Sequence, residues 1–228
     1  MEIREIIQII EKFAPLETQE AWDCSGWQVE PKGDFAVEKI MLCLTVTEDI
    51  IEQAQSSNCD LILAHHPLFF IPFSFNKQIP IYSAHTNLDK ADGGTTDTMI
   101  KLMGFKNRIK VGDFLRIVDC DITLENLIFK IKKALNIPYV RVVNPKEKNK
   151  FKKLAFCAGS GSEFSSLALQ NGADVLITGD LKYHTAVESD IALIDVGHFE
   201  SEYPVLSVLK QLLSGTVFAQ EESPFKTY

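Results

Sequence analysis

The stretch Cys59-Asp60-Leu61-Ile62-Leu63-Ala64-His65-His66-Pro67-Leu68 joins a short apolar run to two adjacent histidines. Such a run is typical of a buried strand, and Pro67 cannot continue its hydrogen-bonded ladder. Because neighbouring side chains on a strand point to opposite faces, His65 and His66 can reach one ligand only where the chain turns. Ligands bind at the carboxyl ends of strands in open α/β sheets. The stretch therefore predicts a ligand site, although one packed and one solvated histidine would fit it equally well.

The composition is that of an ordinary globular protein, with 228 residues, 46% hydrophobic and 24% charged. The 23 basic and 31 acidic residues give 23 − 31 = −8, which argues against binding nucleic acid through a basic face. The five cysteines form no CxxC pair, and their odd number argues against a disulfide framework. No apolar stretch reaches the roughly 18 residues of a membrane span, and the start lacks the apolar region of a signal peptide. We therefore expect a cytoplasmic protein.

Strand-like and helix-like segments alternate along the chain. Apolar runs predict strands near residues 39–46, 60–66 and 79–84, and apolar periodicity predicts helices that begin after Thr47 and Thr123. The alternation continues through the second half of the chain. We therefore predict an α/β protein of two facing lobes, each with a mixed, mostly parallel sheet flanked by helices.

The two halves of the chain repeat the same motifs. Each half has an aspartate before an apolar strand that ends in polar residues, and a shorter strand that ends in a histidine with an acid four positions later. These residues are Asp60 and Asp174, then His85 with Asp89 and His198 with Glu202. We therefore predict a first lobe over residues 1–112, with the His-His and H-x3-D motifs, and a second over 113–228, with the GD-x3-H and GH-x3-E motifs. A metal site would lie at their seam.

The histidines occupy the same kind of position in the predicted structure. All five lie at or just past the ends of predicted strands: His65, His66, His85, His184 and His198. Scattered structural histidines would also fall on helix faces and in charged loops. Imidazole and carboxylate ligands without cysteine are typical of Zn, Mn, Fe, Co or Ni, and two ions roughly 3.5–4 Å apart with a shared carboxylate would use the whole set. We therefore prefer a metal site to unrelated histidines.

For each of three other features, the sequence allows both a functional and a structural interpretation. The turn Gly159-Ser160-Gly161-Ser162 follows a strand and opens a helix, so it could hold an anion or simply be a tight turn. Trp22-Asp23 could be structural or could form a wall of a substrate site. Four phenylalanines could cover a base or form the core of their own loop, which we favour; they are Phe69, Phe70, Phe73 and Phe75.

Four motifs together resemble those of one known family. They are Ile62-Leu63-Ala64-His65-His66-Pro67-Leu68, His85-Thr86-Asn87-Leu88-Asp89, Gly179-Asp180-Leu181-Lys182-Tyr183-His184 and Gly197-His198-Phe199-Glu200-Ser201-Glu202. The chain resembles the NIF-three-like family, whose members are described as GTP cyclohydrolase I type-two or as dinuclear metal-binding proteins. It looks like the short form, without the domain that some members insert mid-chain. The resemblance implies a two-lobed α/β fold, a toroidal homohexamer and a dinuclear metal site in the cleft.

The resemblance also implies a ligand set for two divalent ions. The implied ligands are His65, His66, Asp89, His198 and Glu202, with Glu202 bridging the ions. His85 and His184 would be nearby catalytic residues that shuttle protons. Two positions depart from the family pattern, since many members have asparagine where this chain has Cys24 and aspartate where it has Thr45. Neither position is an implied ligand.

The leading hypothesis for function is a dinuclear metal-dependent hydrolase that acts on a nucleotide-like substrate. The resemblance implies GTP, whose imidazole ring would be opened to give formate and dihydroneopterin triphosphate. One alternative is a phosphoesterase that uses the same ions, and another is a metal-binding scaffold or regulatory protein without turnover. The ligand set accepts several divalent ions, so the sequence does not name the metal.

Overall fold

The computed structural model describes residues 1–68 and 79–226, so the predicted aromatic loop lies outside the described residues. The chain forms two compact units. The first comprises Met1–Gly94 together with Val205–Tyr228, and the second comprises Thr95–Pro204. These bounds differ from the predicted lobes of 1–112 and 113–228, because the last strand of the chain pairs with a strand of the first unit.

The first unit is built on a five-stranded sheet. Its strands are β1 (Gly26–Val29), β2 (Ile40–Cys43), β3 (Leu61–Ala64), β4 (Ile81–Ser83) and β11 (Thr216–Phe218). They lie in the order β1-β4-β3-β2-β11. Strands β11, β2, β3 and β4 are mutually parallel, and β1 is antiparallel to β4. The central strands β2 and β3 are buried along their whole length, as their continuous apolar runs predict.

The α-helices in the described part of the first unit are α1 (Ile3–Phe13), α2 (Glu48–Ser56), α3 (Thr86–Lys90) and α9 (Leu206–Leu212). Helix α2 begins where predicted, because the Thr47 hydroxyl accepts a hydrogen bond from the Ile50 amide at 3.3 Å. Its buried residues Ile50, Ile51 and Ala54 pack into a core with residues of β2 and β3. Helix α1 buries four isoleucines at helical spacing, and these are Ile3, Ile6, Ile7 and Ile10.

The second unit is built on a six-stranded sheet in the order β5-β6-β8-β9-β10-β7. Its strands are β5 (Ile109–Val111), β6 (Leu115–Thr123), β7 (Arg141–Val143), β8 (Lys150–Ser160), β9 (Val175–Gly179) and β10 (Ala192–Asp195). Strands β8, β9 and β10 are parallel, and the other three pairings are antiparallel. This sheet is therefore mixed, as predicted, but its antiparallel pairings outnumber its parallel ones.

The helices of the second unit are α4 (Thr95–Leu102), α5 (Leu124–Leu135), α6 (Ser165–Gln170), α7 (Tyr183–Glu188) and α8 (His198–Glu202). Helix α5 begins at the predicted cap, where the Thr123 hydroxyl accepts from the Asn126 amide at 3.2 Å. It ends at Asn136, which adopts the left-handed conformation typical of a helix end. Helices α4 and α5 cover one face of the sheet through a core that includes Met99, Leu127 and residues of β8. Two sheets flanked by helices confirm the predicted α/β class.

The motif repeat in the sequence corresponds to a repeated hydrogen-bond pattern. Asp60 accepts from the amides of residues 38 and 39 at 2.8 and 3.0 Å. Asp174, at 174 − 60 = 114 positions further on, accepts from the amides of residues 152 and 153 at 2.7 and 3.1 Å. Each aspartate precedes one parallel strand and binds the backbone of the neighbouring strand, just before β2 in the first unit and within β8 in the second. His65 and His66 follow the far end of β3, and Asp180 follows the far end of β9.

Candidate metal centre

His65 and His66 follow β3 directly. The His65 amide donates to the Cys43 carbonyl at 3.1 Å, and the His66 amide donates to the Leu44 carbonyl at 2.8 Å. The chain bends at the two histidines, before Pro67, and their ring centroids lie 4.9 Å apart. The predicted turn therefore brings together two rings that a straight strand would point in opposite directions.

His85 directly precedes the short helix α3, which follows β4, and Asp89 lies within that helix. The His85 ring centroid lies 5.2 Å from that of His65 and 5.6 Å from that of His66. Asp89 Oδ1 lies 3.5 Å from His65 Nε2. Ring nitrogens of the three histidines lie within 4.8 Å of one another, a spacing that could hold a metal ion. The structure thus places His85, predicted as a nearby catalytic residue, inside the histidine group itself.

The three histidines of the first unit each engage Nδ1 with an oxygen atom. His65 Nδ1 lies 2.8 Å from the Ala84 carbonyl, His66 Nδ1 lies 2.7 Å from Thr45 Oγ1, and His85 Nδ1 lies 2.9 Å from Asp23 Oδ1. A carbonyl or a carboxylate oxygen only accepts, so His65 and His85 carry their proton on Nδ1 when neutral. Their Nε2 atoms then carry the lone pair. This is the arrangement that metal-ligating histidines adopt in proteins.

Asp23 is the hydrogen-bonding centre that holds His85. Its carboxylate is fully buried and accepts from His85 Nδ1, from the Thr86 amide at 3.1 Å, from Thr86 Oγ1 at 2.5 Å and from Ser25 Oγ at 2.8 Å. The Ser25 hydroxyl also accepts from the His85 amide at 3.1 Å. Burial alone would raise the pKa of Asp23, but the hydrogen bonds outweigh it and hold that pKa well below its usual range. For Asp23, these hydrogen bonds favour the structural interpretation over a wall of a substrate site.

The partner of His66 is fixed by the C-terminal segment. The Glu221 carboxylate accepts from the Leu44 amide at 2.6 Å and from the Thr45 amide at 3.4 Å, just beyond the end of β2. Burial raises the pKa of the Glu221 carboxyl, and the two backbone hydrogen bonds oppose that shift. Glu221 thereby holds the backbone from which the Thr45 hydroxyl reaches His66.

In the second unit, His198 and Glu202 lie four positions apart on helix α8. His198 Nε2 lies 2.9 Å from Glu202 Oε2, and its Nδ1 lies 2.7 Å from Asp180 Oδ2. Burial lowers the pKa of the His198 ring, but the two carboxylates, with Glu202 contributing more, outweigh it and raise that pKa to about 10. The two carboxylates therefore favour positive charge at His198, which suits a divalent cation.

Asp195, at the end of β10, holds the two loops that carry these residues. Its carboxylate accepts from the Gly197 amide at 3.0 Å and from the Leu181 amide at 3.2 Å. Gly197 precedes His198, and Leu181 follows Asp180. One buried carboxylate therefore fixes both sides of the His198–Asp180 hydrogen bond.

The glycine-rich turn at the end of β8 donates amide hydrogen bonds to side chains of the protein itself. The Gly159 amide donates to Ser201 Oγ at 2.9 Å, and the Gly161 amide donates to Thr178 Oγ1 at 2.9 Å. Gly159 has φ of +65°, and a Cβ atom built on it would lie 2.1 Å from Glu202 Oε1. These contacts favour the tight-turn interpretation over an anion site, and they make the turn a wall of the Glu202 position.

His184 lies on helix α7 with its side chain exposed. Within residues 95–204, all of which the structure describes, its one ring contact is with Tyr183, at 5.6 Å between centroids. The second unit thus brings His198, Glu202 and Asp180 together, and it leaves His184 outside that group. The proton-donor role of His184 stays a prediction.

The residues that orient the histidines are not evident from sequence patterns. Asp23 and His85 are 62 positions apart, so no local pattern links them. Asp180 was visible as the polar residue at the end of a strand, in the place that His66 takes in the first half, but no role was assigned to it. Thr45 was noted only as a departure from the family pattern, and it is the partner of His66 Nδ1.

The fold and these groups define a class of protein: a two-sheet α/β protein with imidazole and carboxylate side chains gathered at strand ends. The donor atoms are nitrogen and oxygen, which suit divalent ions such as Zn, Mn, Fe, Co or Ni. His65, His85 and His198 engage Nδ1 with a carbonyl or carboxylate oxygen, so the residues fit a metal ion bound through Nε2. In the described part of the chain, no helix is long and apolar enough to cross a membrane.

The chain belongs to the family DUF34/NIF3 (NGG1p interacting factor 3), whose model matches residues 1–225. It is 32% identical over 246 aligned positions to a Clostridium acetobutylicum protein named GTP cyclohydrolase 1 type 2 homolog, covering 95% of this chain and 91% of that protein. A Campylobacter jejuni protein of the same name is 33% identical over 250 aligned positions, covering all of both chains. The crystal structure of a Staphylococcus aureus hypothetical protein matches with a TM-score of 0.88 and 25% identity, covering 100% of this chain and 99% of that chain. These matches confirm the family predicted from the motifs.

Proposed function

We propose that this protein is a dinuclear metal-dependent hydrolase that acts on a nucleotide-like substrate. The observation that carries the proposal is the arrangement of the proposed histidine ligands, in which His65, His66 and His198 each engage Nδ1 with an oxygen atom. Ring orientation is thereby set before any ligand binds. Such outer hydrogen bonds are a general feature of metal-ligating histidines and raise their basicity.

The proposed ligands are those that the family resemblance implies: His65, His66, Asp89, His198 and Glu202. Two divalent ions would be held, drawn from Zn, Fe, Mn, Ni or Co, with Glu202 shared between them. When bound, ions of this kind lower the pKa of water to near neutrality and stabilise negative charge at the attacked centre. The protein would hold the three histidine ligands in fixed orientations through Ala84, Thr45 and Asp180.

GTP is the proposed substrate, because relatives of the chain carry the name GTP cyclohydrolase 1 type 2 homolog. Its imidazole ring would be opened with water to give formate and dihydroneopterin triphosphate. We propose that His85 takes up a proton at Nε2, a role supported by the contact of its Nδ1 with Asp23. His184 is proposed as a second proton shuttle, as predicted from the sequence.

A phosphoesterase is the second candidate, because the same nitrogen and oxygen donor set would stabilise charge on a phosphorus centre as well as on a carbon centre. A metal-binding scaffold without turnover is the third. We also propose that the protein assembles as a homohexamer, which the family resemblance implies, and its cytoplasmic location stays a prediction from the sequence.

Reconstitution separates these functions. The metal-free protein is loaded with each divalent ion in turn, its metal content is measured, and it is incubated with GTP and with a phosphoester. The proposal expects formate and a fluorescent pterin from GTP with at least one metal, and no product after chelation. Inorganic phosphate alone would favour the phosphoesterase. No product from any fully loaded form would contradict both enzymes and favour the scaffold.

A further inference from the structure

Trp22 is a large aromatic side chain that the first unit leaves open to solvent. Its side chain is 66% exposed, and its ring centroid lies 6.1 Å from that of His85 in an edge-on arrangement. Single exposed apolar residues are common on protein surfaces and by themselves indicate nothing. The position of Trp22 beside a histidine that belongs to a possible metal-binding group sets it apart.

The turn that carries Trp22 is held rigidly. The next residue, Asp23, accepts hydrogen bonds from Ser25, His85 and Thr86, so the turn is tied to the start of helix α3. The Glu20 amide, on the other side of Trp22, donates to Thr86 Oγ1 at 2.9 Å. Anchors on both sides fix the backbone of Trp22. An aromatic ring presented in this way loses little conformational entropy when a ligand stacks on it.

We propose that Trp22 is a stacking platform for the base of the substrate, a planar heteroaromatic ring of the purine class. The inference rests on the proposed function, because it assigns a role in binding the nucleotide. A base lying on the exposed indole would have its edge next to His85, whose ring centroid is 5.2 and 5.6 Å from those of His65 and His66. Stacking on an aromatic side chain is tolerant of base identity and needs no hydrogen bonds from the protein.

The other tryptophan provides an internal contrast. The sequence contains two tryptophans, Trp22 and Trp27. Trp27 lies in β1 and packs edge-on against Tyr82 of β4, with ring centroids 5.1 Å apart. Trp27 therefore serves the packing of the sheet. Replacing it with phenylalanine leaves Trp22 as the single source of tryptophan fluorescence.

The test measures binding to metal-loaded protein by fluorescence and by equilibrium dialysis. In the Trp27→Phe protein, GTP and guanosine should quench the emission of Trp22, and inorganic tripolyphosphate, which has no base, should not. By dialysis, Trp22→Ala should weaken GTP binding roughly 5- to 100-fold, while Trp22→Phe should stay within about threefold of the unmodified protein because phenylalanine also stacks. Dialysis needs no change at Trp27, so the test stands if that variant fails to fold.

The outcomes distinguish this inference from the proposed function. If Trp22→Ala binds GTP as tightly as the unmodified protein, with the same metal content, the platform is wrong and the hydrolase proposal is untouched. If guanosine fails to bind but a phosphoester is hydrolysed, the purine platform is likewise overturned. A third outcome is that guanosine quenches Trp22 fluorescence and Trp22→Ala abolishes GTP binding, but the unmodified protein hydrolyses no substrate. That outcome would support the stacking role of Trp22 and contradict the hydrolase proposal.

Discussion

Gly159 lies so close to the Glu202 carboxylate that a Cβ atom on Gly159 would be 2.1 Å from Glu202 Oε1. No side chain fits between this backbone and the carboxylate. The Gly159 amide also donates to Ser201, the residue before Glu202. Strand β8 and helix α8 therefore pack tightly against each other at Glu202, the proposed bridging ligand.

Gly159→Ala should displace the Glu202 carboxylate and lower the metal content of the protein. The substitution also incurs the cost of a left-handed conformation, about 1–2 kcal/mol for a residue with a Cβ atom. Gly172→Ala is the matched control, because Gly172 has φ of +77° and its Cβ would lie 3.6 Å from Lys153 Nζ, the nearest atom. Both variants should lose similar stability in thermal unfolding, but Gly159→Ala should bind fewer ions. Equal metal contents would show that the contact with Glu202 is unimportant.

Asp174 should make the stability of the protein depend on pH. Burial would raise the pKa of Asp174, but hydrogen bonds from Lys148 and from the amides of residues 152 and 153 outweigh it, so that pKa is lowered. A lowered pKa means that the native state favours the ionised form. Its stabilisation is present above the unfolded-state value of about 3.9 and is lost as the pH falls through the native-state value.

Asp174→Asn should therefore destabilise the protein by about 1–2 kcal/mol at pH 7, and the difference from the unmodified protein should shrink below about pH 4. Denaturant unfolding at several pH values measures this. Asp121→Asn is a control, because Asp121 is 65% exposed and pairs with Lys150 at the surface, where ion pairs contribute little. A difference that is the same at every pH would refute the assigned role of the Asp174 charge.

His184→Ala tests whether His184 acts as a proton shuttle. Turnover should fall by about 10²–10⁴-fold with both metals still bound, since His184 lies outside the ligand group of the second unit. Glu188→Ala changes another exposed residue of helix α7 and should leave turnover unchanged. Loss of metal from His184→Ala would make His184 a ligand, and full activity would make it a surface residue.

The sequence predicted the long, periodic elements and the strand ends well. Helices α2 and α5 and the buried strands β2, β3 and β9 lie where their apolar patterns placed them, within a few residues. The aspartates before β3 and β9 were recognised as a repeat, and they form the same hydrogen bonds. These features depend on local spacing, which a single sequence displays directly.

The short elements and the supporting contacts were not predictable in this way. Helices α3 and α8 have five residues each, too few to show helical periodicity. The contacts Asp23–His85 and Gly159–Glu202 join residues more than 40 positions apart, so they depend on the completed fold. The return of the C-terminal strand to the first unit depends on pairing between β11 and β2, which no local pattern specifies.

The metal content of Glu202→Gln tests the central claim most directly. The amide keeps the size of Glu202 but cannot bridge two cations as a carboxylate does. Glu200→Gln is the matched control, because Glu200 lies two positions earlier on the same helix α8 and is not a proposed ligand. Elemental analysis after reconstitution should find two divalent ions per chain in the unmodified protein and in Glu200→Gln, and at most one in Glu202→Gln. Two ions retained by Glu202→Gln would contradict the account.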